Sequence, residues 1–201
     1  MPRLRNFLNK DLLEAGLDEA GRGCLAGPVF AAAVILPRNF RAPLLNDSKK
    51  IKEVDRQQLR LEIEAKALAW AVASVDSNTI DSINILQASF LAMHRAIAQL
   101  QKTPQHLLID GNRFKPYPKV PHSCQIKGDG RFKNIAAASI LAKTHRDEFM
   151  EKAHQKFPHY QWNQNKGYPT QKHRQAIAQF GTSPYHRKSF TLLAKQVKLK
   201  L

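Results

Sequence analysis

The longest unbroken apolar stretch of the chain is residues 29–36, VFAAAVIL, and it stops at Pro37. Such a run suits a strand covered on both faces. Residues 15–20 predict a shorter strand running straight into a glycine loop, and residues 68–75, LAWAVASV, predict another. Between the apolar run and LAWAVASV, residues 54–66 carry Leu59, Ile63 and Lys66 at helical spacing among good helix formers. Residues 84–101 repeat Leu86, Phe90, Met93, Ile97 and Leu100 at intervals of three and four, the stripe of an amphipathic helix. His94 lies beside that stripe as a boundary residue and receives no role. Short strands follow at 107–109, ending at Asp110-Gly111, and at 123–126, after the turn-rich KPYPKVP. A long helix is predicted over 134–156, its first half, IAAASILAK, built of small residues that permit close approach to a sheet. From residue 157 the chain turns aromatic, basic and proline-punctuated, with a helix over 170–180 and another near the end.

Strands first, with helices between and after them, imply an α/β or α+β fold. At 201 residues the chain fits one domain, with 157–201 as a helical extension packed on 1–156. Hydrophobic residues make up 43% and charged residues 24%, a composition that folds by itself. Charge changes the picture: 32 Lys and Arg against 16 Asp and Glu give +16, with a pI near 10.1. A polyanion is the natural partner, although charge alone does not separate an enzyme from a basic binding protein. Cys24 and Cys124 have neither knuckle nor framework spacing, which implies two reduced thiols in a cytoplasmic protein. The N-terminus lacks a signal-type apolar core, and the apolar run is too short to span a bilayer, so membrane insertion is not expected.

The candidate chemistry lies where strands end. Asp18 and Glu19 close the first strand, Asp110 closes LLID, and Asp129 follows CQIK in KGDG. Strand exits are where α/β sheets place their sites. Taken singly, each acid reads equally as a turn, cap or solvated residue. Strict alternation sends Asp18 and Glu19 to opposite faces, so a shared site calls for a bend near Ala20-Gly21. If all four converge, two charges about 4 Å apart repel by roughly 4 kcal/mol at an effective dielectric near 20. Such a cluster is protonated or holds cations, and all-oxygen ligation selects Mg²⁺ or Mn²⁺. Two such ions about 3.5 to 4 Å apart serve phosphodiester displacement.

The loop GRGCLAG matches neither nucleotide-binding glycine motif, yet Gly21 and Gly23 allow a ligand to approach the backbone. Lys49 and Lys50 in DSKK, Lys143 and Arg146 in LAKTHR, and Lys166 in NKGYPT are candidate phosphate contacts, and Tyr168 offers a ring to a sugar or base. Lys143 also has the spacing to pair with Asp147.

LDEAGRGCLAGPV, NDSKK, LLIDGN, IKGD followed by IAAASILAKTHRD, and KGYPTQKH resemble, in that order, the signature blocks of bacterial ribonuclease HII. The similarity runs over residues 16–190. The resemblance implies a ribonuclease H-like mixed sheet flanked by helices, with a C-terminal helical extension. It implies a metal-dependent endonuclease that cuts RNA in RNA–DNA hybrids and on the 5′ side of a single ribonucleotide embedded in duplex DNA. By the same resemblance Asp18, Glu19, Asp110 and Asp129 would hold the metal. Gly21, Arg22 and Gly23 would read the ribose 2′-hydroxyl, and Tyr168 would stack on the next sugar. No obligate protein partner is implied, and a monomer is expected. GRFKN, residues 130–134, departs from the small polar run expected before the helix. Type HIII relatives would carry an added N-terminal domain and a loop lysine where this chain has Arg22.

Overall fold

Alternation along each strand decides which layer a side chain serves. The computed structural model describes residues 4–45 and 51–193. Strand β2 (Val29–Ile35) sends Ala31, Ala33 and Ile35 to one face and Ala32 and Val34 to the other, all fully buried. That two-sided burial is why its sequence is apolar without interruption. Strands β1 (Glu14–Ala20), β3 (Ala69–Val75), β4 (His106–Asp110) and β5 (His122–Gln125) complete one mixed sheet in the order β3-β2-β1-β4-β5. β1 pairs antiparallel with β2 and parallel with β4, so it stands at the centre.

Helix α2 (Ser77–Ala98) covers one face with Ile80, Ala88, Ala92, Met93, Ala96 and Ile97. Helices α1 (Glu53–Lys66) and α3 (Lys133–Lys156) cover the other, where Leu59 and Ile63 meet the small residues of α3. α3 lies so close to β1 that a Cβ on Gly16 would overlap the backbone of Asn134. The short helix α4 (Trp162–Asn165) and α5 (Gln171–Phe180) follow. Trp162, Ala176 and Ile177 form a third cluster with Met150 and Ala153 of α3 and with Leu25 and Ala26 of the glycine loop. The segment after residue 157 therefore grips the loop that follows β1.

Several boundaries differ from the sequence reading. α2 begins at Ser77 rather than at residue 84, because Asp76 caps it by accepting the Thr79 N–H at 2.7 Å. Asn84 interrupts it with φ +66, and its side chain caps the next turn by accepting the N–H groups of Leu86 and Gln87. β1 stays regularly paired through Glu19 and Ala20, so Asp18 and Glu19 keep to opposite faces. The turn starts at Gly21, whose φ is +94. Residues 181–193 contain no helix, and the rest of the expected terminal helix lies outside the described residues. Among the described residues no helix is long and apolar enough to cross a membrane.

Candidate active site

β1 and β4 run parallel with Leu17 opposite Ile109, so one further step along both strands sets Asp18 beside Asp110. Asp18 is buried on the α3 side, where Ser139 hydrogen-bonds it. Burial, then repulsion from Glu19 and Asp110, pushes the Asp18 carboxyl well above the ordinary carboxylate range. Glu19 follows alternation to the α2 side, and Arg22 holds its Oε1 at 3.0 Å. Burial pushes Glu19 up as well, with the Arg22 guanidinium pulling against it and Asp110 adding to the rise. Glu19, Arg22, Asp110 and Arg113 rim a cavity of about 320 Å³ floored by Leu86, Phe90 and Met93 of α2.

Asp110 Oδ1 accepts the N–H of Gly128 at 2.7 Å, which anchors the 3-10 turn Gly128–Gly130 to the end of β4. Asp129 is the next residue, buried, with its own Oδ1 accepting the Gly130 N–H at 2.9 Å. Asp18, Glu19 and Asp110 thus feel one another's charge, and Asp129 sits on a turn that Asp110 fixes. The convergence stops short of a finished cage: among the described residues no three His, Cys, Asp or Glu side chains stand close enough to hold an ion. Repulsion accounts for the spread, since Asp18 turns to Ser139 and the Glu19 N–H, Glu19 to Arg22, and Asp110 to Gly128.

The glycine loop is built from behind by two buried arginines. Arg187 donates to the carbonyls of Gly21 at 2.7 Å, Arg22 at 2.9 Å and Gly27 at 2.8 Å. Burial pulls its guanidinium down to about 10, which leaves it charged at neutral pH. Arg146, 1% exposed, donates to the carbonyls of Ala26, Pro28 and Lys166. A Cβ on Gly21 would overlap its guanidinium, whereas at Gly23 the same position faces open space. The carbonyls of Gly21 and Arg22 are thus turned inward to Arg187. Tyr168, 41% exposed, has its ring 5.9 Å from the Arg146 guanidinium, and its hydroxyl meets the Cys24 thiol.

Three candidate cation contacts already have partners within the protein. Arg146 is interior, and its guanidinium is engaged with backbone carbonyls. Lys143 pairs with Asp147, and Lys166 pairs with Glu151 at 2.7 Å. Lys49 and Lys50 lie outside the described residues. His94, given no role, bonds the Lys115 carbonyl at 2.8 Å. Sequence reasoning missed Arg187, which stood in SPYHRKSF as one more cation, and Ser139, hidden in a run of small residues that read as packing. No spacing rule marks either one.

The family model for Ribonuclease HII matches residues 15–193. The chain belongs to the ribonuclease HII family. A curated ribonuclease HII from Bacteroides thetaiotaomicron is 65% identical over 187 residues, covering 93% of this chain and 94% of that protein. The ribonuclease HII in a solved PCNA complex from Archaeoglobus fulgidus is 25% identical with a TM-score of 0.74, covering 92% of this chain and 98% of that one. Bst-RNase HIII, solved with Mn²⁺, shares the fold at 18% identity and a TM-score of 0.68, over 89% of this chain and 67% of that one. As a ribonuclease HII, this chain is an endonuclease acting on the RNA of RNA–DNA hybrids. The ribonuclease H-like sheet is the mixed five-stranded sheet described above.

Proposed function

We propose that this ribonuclease HII is divalent-metal-dependent and also cuts duplex DNA on the 5′ side of a single embedded ribonucleotide. It would leave 3′-hydroxyl and 5′-phosphate ends, and so remove RNA primers and misincorporated ribonucleotides. The observation that carries this reading is adjacency: the buried, mutually repelling carboxylates end where the arginine-backed glycine loop begins. The phosphate to be cut and the sugar to be recognised are adjacent in the same way.

The donor chemistry fits a hard cation. Asp18, Glu19, Asp110 and Asp129 supply oxygen only, and the elevated Asp18 marks negative charge in want of a counter-ion. Mg²⁺ or Mn²⁺ held there would supply charge against the cleaved phosphate and acidify a water. The protein's own groups do the rest. Loop N–H groups at residues 21–23 meet the 2′-hydroxyl, and their inward carbonyls, fixed by Arg187, keep that edge in place. A site built to bond a hydroxyl rejects the analogue lacking it by about 10⁴ to 10⁵, enough to spare plain DNA. Tyr168 offers its exposed ring to the neighbouring deoxyribose. Residues 1–156 act as the catalytic unit, and 157–201 as the extension that carries the tyrosine. Trp162 and Ile177 share one buried cluster with Leu25 and Ala26, which supports the extension's packing on that unit.

Asp110→Asn tests the metal role. Cleavage is expected to fall below about a tenth of the parent rate, because a charged ligand is lost. Duplex affinity is expected to stay within about threefold, because phosphate attraction comes from Lys and Arg. Cleavage above that tenth contradicts the role of Asp110.

A further inference from the structure

We infer that His173 is a positioning residue for Tyr168: its ring, with its proton fixed on Nδ1 by Trp162 and His186, holds the tyrosine's backbone in place. The inference rests on the reading of Tyr168 as the sugar-stacking residue.

The proton positions follow from the donors. Trp162 Nε1–H, which can only donate, reaches His173 Nε2 at 2.9 Å. The Ser183 N–H, also only a donor, reaches His186 Nδ1 at 2.9 Å. Neutral His186 therefore carries its proton on Nε2, which lies 3.2 Å from His173 Nε2 and donates to it. His173 Nε2 receives two donors and bears no proton, so its proton is on Nδ1. That nitrogen lies 2.9 Å from the Tyr168 carbonyl and donates to it. Both rings are buried, and burial lowers both, His186 to about 4; His173 and His159 are the titratable groups facing His186, and Arg174 the charge facing His173. Both are neutral near pH 7, as the bonding requires.

A satisfied core histidine would need only some acceptor for its proton. Here the acceptor belongs to a loop that needs holding. Lys166 has φ +48, a left-handed conformation that a non-glycine residue keeps only when surrounding contacts over-determine it. A Cβ on Gly167 would press on the Ala26 carbonyl, and the Gly167 carbonyl takes the Leu25 N–H at 2.8 Å. The Tyr168 carbonyl takes the Thr170 N–H at 2.8 Å as well as His173 Nδ1–H. His173 is itself fixed at the start of α5, where Thr170 Oγ1 accepts its N–H. The two rings thus tie the tyrosine backbone to the aromatic cluster of Tyr160 and Trp162.

The experiment compares cleavage at one embedded ribonucleotide with cleavage of a continuous hybrid, as a ratio of kcat/KM, in His173→Ala, Tyr168→Ala and the double variant. Displacing a positioned ring costs on the order of tenfold or more, so His173→Ala is expected to lower the ratio about tenfold. In the Tyr168→Ala background it is expected to change the ratio by less than about twofold, since the group it positions is gone. A merely structural loss would lower both substrates together and leave the ratio in place, which overturns the inference. So does a full further loss of the ratio in the double variant. A ratio unmoved by Tyr168→Ala overturns the tyrosine reading and this one with it, whereas a ratio moved by Tyr168→Ala but not by His173→Ala overturns only the histidine's part. Should His173→Ala fail to fold by circular dichroism, His173→Asn and His173→Gln decide. Asn keeps a donor where Nδ1 stood and is expected to keep the ratio; Gln places its amide toward Trp162 and is expected to lose it. The reverse order overturns the inference.

Discussion

A buried guanidinium is stable only when its fork of donors is filled, and Arg187 fills it with the carbonyls of Gly21, Arg22 and Gly27. Arg187→Lys keeps the charge but loses the fork. The expected cost is about 2 to 3 kcal/mol of stability, because buried carbonyls lose charge-assisted bonds. Thermal unfolding would register it, and cleavage of both substrates would fall together as the loop loosens. At Tyr168 the ring and the hydroxyl separate cleanly. Tyr168→Phe keeps the stacking face and gives up only the contact with Cys24, so it is expected to cleave both substrates at close to the parent rate. Tyr168→Ala is expected to weaken cutting at isolated ribonucleotides more than along hybrids; equal losses would remove the stacking role. These residues divide by legibility. Asp18, Glu19 and Asp110 stood out because acids at strand exits are unusual in so basic a chain. Arg146 stood out only as a candidate phosphate contact and Arg187 not at all, because an arginine letter carries no sign of whether its fork points to water or to carbonyls.

At the scale of elements, close approach decides the architecture. α3 crosses β1 where Gly16 has no side chain, and the obstacle to adding one is the backbone of Asn134, which has little room to yield. Gly16→Ala is expected to destabilise the protein by about 3 kcal/mol or more, the upper end for overpacking. A loss below about 1 kcal/mol in urea unfolding would show that the helix can move off the strand. Most elements were legible for a simple reason: β2 is buried on both sides and α3 is built of small residues, and both facts are written in composition. The first turns of α2 were not. Residues 77–83 begin with Ser, Asn and Thr, and tertiary packing of Ile80 overrides their weak preference. The reading that started a helix at Asn84 found a true cap, since that residue begins the second of two merged segments. Alternation sets Glu19 on the face opposite Asp18, and the turn begins at Gly21, beside the Ala20-Gly21 step where the glycines suggest a bend.

For the whole molecule, two buried groups pull stability in opposite directions with pH. His186 lies at about 4 when folded against 6.5 ordinarily, so below about pH 6.5 the unfolded chain takes up a proton that the fold excludes. Its contribution is intact above that pH and is lost as the pH falls toward 4, on the order of 2 kcal/mol. Asp18 is raised, so its burial costs least when it is protonated, and acid relieves it. Comparison with His186→Asn isolates the histidine: between about pH 7.5 and 4.5 the parent is expected to lose roughly 2 kcal/mol more than the variant in urea unfolding. Equal losses would mean that the His173–His186 pair is not held neutral. On the proposed reading the basic chain, at +16, draws in the polyanion and the buried acids at the centre of the sheet choose the bond. A DNA duplex with one ribonucleotide, incubated with Mg²⁺, Mn²⁺ or EDTA and mapped to the nucleotide, puts that division of labour on trial. One cut on the 5′ side of the ribonucleotide with either ion, and none in EDTA, is the expected result; cutting that persists in EDTA, or that falls in plain DNA, would contradict it.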